Sequence, residues 1–304
     1  MKSSYIQTKN RFYIKPNYRR RGSGQYKKNY DYNDWKSYYY ANYASPNYLP
    51  KYPLYPQITP LPSWMNNEYF IQQNILYRAE KYIYSKYPSL MDINKQNTNL
   101  IAKINPYCKF YVIKTLTEED IHKSIKYNVW CSSKEGNILL NDNYNIAKAK
   151  NGSIYLFFSS NGTERFVCVA EMKSNFDINR PFKLWTQDNV WIGLFDVQWI
   201  FIKDVPFKEF ANMFITMKEG GIKPIYDAKD TQEIPFEIAK IMIEKFDKFQ
   251  NSNTILEHFE YYDLRQENYE KNDPINKNQI KQINISKKND NNINEDKHLY
   301  SIYN

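Results

Sequence analysis

Residues 181–206 read PFKLWTQDNVWIGLFDVQWIFIKDVP and hold three of the six tryptophans of the chain. Trp199 belongs to a run in which Phe195, Val197, Trp199 and Phe201 alternate with other residues. That period of two predicts a strand with one face turned into a core. Trp185 and Trp191 flank the polar segment Thr186-Gln187-Asp188-Asn189 just ahead of the strand. Two indoles in a loop need cover, from the protein's own core or from a ligand. The segments on either side bear on which.

Working back from this stretch, Ser153–Ser159 and Arg165–Met172 read as two strands joined by the hairpin turn Asn161-Gly162. Lys109–Lys114 (KFYVIK) reads as another strand. Thr117 is placed to cap a helix running through Tyr127, whose first turn carries Glu118, Glu119 and Asp120 to complement the helix dipole. A turn is expected at Gly136-Asn137, and a short helix around Asn143–Lys150. Working forward, Phe207–Met213 is expected to be helical. From Pro235 to Phe249 a last helix would place Ile238, Ile241, Met242 and Phe249 on one stripe. The result is an α+β fold, occupying about residues 105–267, with enough chain for a core of its own.

The flanks differ in composition. Residues 1–60 contain 11 Lys/Arg and 2 Asp/Glu, so 11 − 2 = +9, the whole formal net charge of the chain; residues 105–250 carry 19 of each sign. The first 60 residues also hold 13 tyrosines without periodicity, with Arg19-Arg20-Arg21 and Lys27-Lys28 set among Tyr18, Tyr26 and Tyr30. This reads as a disordered basic arm whose cations suit phosphates and whose rings suit unpaired bases. The same composition also favours weak self-association, which leaves a protein-interaction or condensate scaffold as the alternative function. Residues 61–104 read as a linker with a helix at 66–87 bearing Tyr69, Leu76, Ala79 and Ile83 on one side, ended by Pro88. It is expected to stand isolated or to dock on a partner. From about residue 265 the chain becomes Asn/Lys-rich, and 268–304 is expected to be a disordered tail.

Three scattered cysteines, Cys108, Cys131 and Cys168, suit a reducing interior and form neither a disulfide framework nor a zinc cluster. No apolar run reaches the roughly 20 residues of a membrane span, and no signal peptide is read at the start. Three histidines, dispersed acids and no legible triad or metal-ligand spacing predict no enzyme, metal or cofactor. Taken singly, each tryptophan is more often a packing residue than a ligand contact.

Together, FYVIK (110–114), HKSIKYNVWCSS (122–133), FSSNG (158–162), VAEMKS (169–174), FDVQWIFIKDVP (195–206) and KDTQEIP (229–235) resemble the YTH family of N6-methyladenosine readers, most of all its cytoplasmic-type branch. The resemblance runs from about Pro106 to Glu267. It implies a small barrel-like sheet flanked by helices and a tryptophan cage for a methylated base in single-stranded RNA of the mRNA class. By position, Trp130 and Trp185 match two cage walls. The third wall falls on Trp191, one residue later than in the family, or on Val190. Cys131 matches a backbone carbonyl that accepts from the methylated amine, Leu116 a backbone N–H where relatives have Tyr, Asp120 an edge contact and Asn161 a residue near the base. Lys114 and Lys229 match phosphate contacts, Lys229 replacing an arginine, and a further family arginine falls near Leu139. The resemblance implies a role in mRNA stability or translation in the cytoplasm, with the basic clusters leaving nuclear entry open.

Overall fold

The computed structural model describes residues 67–96, 100–187, 190–217, 220–250 and 254–272. The expected basic arm at 1–60 lies outside the described residues, as does most of the expected C-terminal tail.

Eight strands and eight α-helices make up the described fold. Six strands form one sheet in the order β2-β5-β4-β3-β1-β8, where β1 is Lys109–Thr115, β2 Val129–Trp130, β3 Ile154–Ser160, β4 Arg165–Met172, β5 Phe195–Pro206 and β8 Gln232–Ile234. Only β1 and β3 run parallel; the other pairs are antiparallel. β6 (Phe214–Thr216) and β7 (Ile222–Pro224) form a separate hairpin. The sheet is buried on both faces. Tyr111, Ile113, Leu156, Phe158 and Trp199 point into one core and Phe110, Val112, Phe157 and Phe166 into the other.

β5 corrects the simple alternation. Ala170 of β4 is opposite Trp199 while Val169 is opposite Phe201, so β5 carries one extra residue at this point. A bulge of that kind reverses the alternation beyond it. Phe195, Val197 and Trp199 therefore share one core, whereas Phe201 packs in the other, stacked on Phe246 at 5.9 Å.

Four helices precede β1: α1 (Asn67–Lys86), α2 (Pro88–Met91), α3 (Ile93–Gln96) and α4 (Leu100–Lys103). α1 buries Ala79 and Ile83, and Pro88 ends it as its missing N–H requires. The helix does not stand apart, because Ile83 enters the core of the sheet. α5 (Glu118–Tyr127) is capped by Thr117, whose side chain accepts the Asp120 N–H at 3.2 Å. Asn128 in the left-handed conformation closes it and turns the chain into β2, where Trp130 pairs with Phe195. Nine of the ten α5 residues are buried, its three acids included.

α6 (Lys134–Lys148) takes in both the expected turn and the expected short helix. Ser133 caps it through the Gly136 N–H, and a side chain at Gly136 would lie 2.4 Å from Ser132 Oγ. Gly136 is thus a close-packing residue and not a turn. Phe207–Phe210 is a 3-10 turn, shorter than the expected helix. α7 (Phe236–Lys248) buries Ala239, Met242, Ile243 and Phe246, while Ile241 is exposed, since the second core meets a face one residue out of phase with the expected stripe. Instead of dissolving after residue 265, the chain forms a 3-10 turn at Ile255–His258 and α8 (Phe259–Asn272), which packs on α1 and α5.

Candidate functional site

The antiparallel pairing of β2 with β5 brings Trp130 to the rim of the first core, and the loop ahead of β5 brings Trp185 against it. Their ring centroids are 5.4 Å apart with planes at 71°. Both indoles are backed by core aromatics: Phe158 lies 5.0 Å from Trp130 and 5.2 Å from Trp199, and Phe182 lies 4.7 Å from Trp185. The protein itself covers one side of each ring. Beside them lies a pocket lined by Lys114, Thr115, Asp120, Trp130, Cys131, Ser132, Trp185, Trp191 and Asp230.

The Gln187 C=O accepts the N–H groups of Val190 and Trp191 at 3.0 and 3.3 Å. Trp191 is thereby aimed into the pocket, and Val190 is 55 % exposed and outside the lining. Gly193 then returns the chain to β5 at φ 85°; a side chain there would meet Phe176 at 2.5 Å.

Two carboxylates brace the walls. Asp120 Oδ1 accepts the Thr186 N–H at 2.8 Å and Oδ2 accepts the Thr186 hydroxyl at 2.6 Å, which ties the Trp185 loop to the first turn of α5. Burial pushes the Asp120 carboxyl above its usual range, against the opposing pull of Lys123 and the Thr186 hydrogen bonds. Asp230 holds the opposite wall, its Oδ1 accepting the Lys114 N–H at 2.9 Å and its Oδ2 the Ser132 hydroxyl at 2.7 Å. The Asn137 side chain accepts the Ser132 N–H at 2.8 Å and donates to the Ser132 C=O at 3.0 Å, clamping the backbone next to Cys131. The Cys131 thiol sits 3.4 Å from the Ile192 carbonyl, and burial pushes it up to about 11, so it stays protonated. Thr186 and Asp230 had no signal of their own in the sequence, because each acts on a residue far from it along the chain, Asp120 for the first and Lys114 and Ser132 for the second.

Of the residues singled out from sequence, Trp130, Trp185, Trp191, Asp120, Cys131 and Lys114 line the pocket. Leu116, Asn161 and Lys229 do not. Leu116 is 48 % exposed at the turn between β1 and α5. Asn161 is adjacent, donating its N–H to the Thr115 carbonyl at 3.0 Å, and Lys229 is exposed next to Asp230. The half-buried Lys114 ammonium is engaged within the protein: it donates to the Tyr226 carbonyl at 2.9 Å and lies over the Phe207 ring at 4.9 Å, and burial lowers its pKa. Among the described residues no group of His, Cys, Asp and Glu could hold a metal ion.

The Asp120–Thr186 pairing predicts how substitutions at 120 behave. An asparagine keeps an acceptor for the Thr186 N–H and can donate to its hydroxyl, so Asp120→Asn is expected to retain or improve the affinity of the pocket for its ligand. Asp120→Ala strands both Thr186 donors and is expected to weaken binding by roughly tenfold, the worth of one or two such bonds. A titration in which Asp120→Asn falls as far as Asp120→Ala refutes this assignment.

The family model for the YTH (YT521-B-like) domain matches residues 108–247. Human YTH domain-containing family protein 2 is 42 % identical over 181 residues, 60 % of this chain. Residues 108–247 thus carry a YTH domain. Human YTH domain-containing family protein 3 is 41 % identical over 162 residues. The chain spans only about a third of these relatives, 31 % of the first and 27 % of the second, so the likeness is to their YTH domains. A crystal structure of the YTH domain of Zygosaccharomyces rouxii MRB1 in complex with N6-methyladenosine RNA is 31 % identical, covering 49 % of this chain and 92 % of that one with a TM-score of 0.43. The matched segment contains every residue of the pocket described above, so the pocket belongs to the YTH domain.

Proposed function

We propose that the YTH domain of this chain reads N6-methyladenosine in single-stranded RNA, with Trp130, Trp185 and Trp191 receiving the methylated base. The observation that carries this reading is the perpendicular pair Trp130–Trp185, joined at one pocket by a third indole. A planar base stacked on Trp130 would present its edge, and a methyl on that edge, to Trp185. The base must be unpaired and splayed out, because an enclosing pocket of this kind cannot work on a stacked duplex.

The base is neutral, so stacking and burial dominate over cation–π attraction. Burying the methyl contributes about 0.8 kcal/mol, and an unmethylated N–H facing an indole costs about 1–3 kcal/mol more. The expected preference for the methylated base is therefore about ten- to a few-hundred-fold. The Cys131 carbonyl and the Leu116 N–H are positioned in sequence beside this pocket and serve as backbone partners for the base, with Asn161 close by. Because the Lys114 ammonium is engaged internally, we assign the phosphate grip chiefly to Lys229 and the basic arm. A lysine there holds phosphate as a point charge and without the bidentate fork of arginine.

In this reading the protein is a non-enzymatic, cytoplasmic regulator of mRNA stability or translation, with residues 105–267 as the RNA-binding unit. No helix among the described residues is long and apolar enough to cross a membrane. The test is a titration of the chain with paired RNA oligonucleotides that differ only in the methyl group. Tighter binding of the methylated strand is expected; equal affinities would falsify the proposal.

A further inference from the structure

The family match stops at residues 108 and 247, yet helical structure continues on both sides, as α1 ahead of it and α8 after it. These two helices pack on each other: Arg78 of α1 donates to both carboxylate oxygens of Glu260, each at 2.8 Å. Their common centre is Asp263 of α8, whose side chain is 1 % exposed. Its Oδ2 accepts the hydroxyls of Tyr82 at 2.5 Å and Tyr87 at 2.7 Å; its Oδ1 accepts from Lys126 at 2.6 Å and from His122 Nε2 at 3.1 Å. Burial opposes ionisation of Asp263, but the bonds from His122 and Lys126 outweigh it and hold the carboxyl well below its usual range. The same C-terminal segment reaches the first turn of α5, with His258 Nδ1 3.3 Å from Glu118 and Arg265 3.1 Å from Glu119.

His122 and Lys126 are four residues apart and share a face of α5. Asp120, two residues before His122, lies about 200° round the helix and so on the opposite side. That side meets the pocket, where Asp120 accepts both donors of Thr186, next to Trp185. α5 is thus gripped between the flanking helices and the cage loop.

We propose that α1 and α8 form a bracket outside the matched YTH segment, and that Asp263 is a positioning residue that sets α5, and through Asp120 and Thr186 the Trp185 wall, for methyladenine binding. The proposal rests on the reader function above.

The test uses the full chain, with Asp263→Asn and the double variant Tyr82→Phe/Tyr87→Phe, which removes two donors and keeps the ring packing. Each is titrated with methylated and unmethylated RNA well below its own unfolding temperature. Asp263→Asn is expected to weaken binding of the methylated strand about tenfold and to narrow the methyl preference, and the double variant about threefold, in keeping with loss of charge-assisted hydrogen bonds. Melting temperatures that fall while affinity and preference stay at the wild-type level would make Asp263 structural only and overturn the proposal. Should Asp263→Asn not fold, the double variant decides alone. A wild-type chain without methyl preference removes the reader function, and this proposal with it, and is distinguished because it needs no variant to be seen.

Discussion

Trp191→Ala is expected to lower affinity for methylated RNA by about 10- to 100-fold, the 1–3 kcal/mol that stacking one base on an aromatic ring provides. Trp130 and Trp185 stand at 71°, so a base parallel to one meets the other with its edge. The two cannot be the opposing plates of a sandwich. The plate facing Trp130 has to come from elsewhere, and Trp191 is the remaining indole in the pocket lining. Because Trp191 lies at the rim and is only partly buried, the variant should keep most of its stability. Trp185→Ala is a poorer probe: Trp185 is 4 % exposed and packed on Phe182, so its loss would also cost the fold about 3–5 kcal/mol. Val190→Ala should leave binding as it is. If Val190→Ala abolishes methyl preference while Trp191→Ala retains it, the third wall is aliphatic and the assignment is wrong.

Arg165→Met is expected to destabilise the fold by about 3–5 kcal/mol, the usual consequence of removing one partner from a buried ion pair. Arg165 Nη2 lies 2.5 Å from Glu118 and Nε 2.8 Å from Asp204, joining β4, α5 and β5 beneath the C-terminal segment. The deficit should depend on pH. For Glu118, burial works against ionisation, but His258 and Arg165 outweigh it and hold the carboxyl below its ordinary 4.5. Its contribution to stability is complete above that value and lost as pH falls. Asp204 is opposite in sign. Burial outweighs Arg165 and raises it from 3.8 to about 8, and Glu257 nearby is raised by burial to about 7. Their contribution is full at low pH and lost as pH rises through 7–8. Without the guanidinium each of Glu118 and Asp204 loses a charge that favours its ionised form. The variant should therefore be furthest below wild type at pH 8.5 and closer to it at pH 5.5. Urea unfolding at the two pH values measures this; a deficit that is the same at both would show that Arg165 acts by packing and not by charge.

Much of the frame was legible from residues close together in the chain. Thr117 and the three acids after it marked the start of α5, Asn161-Gly162 marked the hairpin, and the apolar runs at 109–114, 153–159 and 165–172 marked strands. Such signals depend on neighbours within a turn of helix or a single hairpin, and the fold kept them. Where a local signal had two meanings, packing chose between them. Gly136-Asn137 has the composition of a turn, but Ser133 caps a helix across it and Gly136 is needed for contact with Ser132. The bulge between Trp199 and Phe201 has no composition of its own, so the change of face was invisible until β5 was paired with β4.

The sequence by itself determined the YTH resemblance, the α+β class and which tryptophans of loop and strand were candidates for a ligand site. Only the tertiary structure decided that Trp191 and not Val190 lines the pocket, that Lys114 engages its ammonium within the protein, and that Asp120 holds Thr186. It also decided that Asp263, 141 residues from His122, holds α5 from behind. The reason is physical. Periodicity and capping are properties of a short stretch of backbone, whereas the orientation of an indole or the partner of a buried carboxylate is fixed by groups that meet only when the chain has closed on itself.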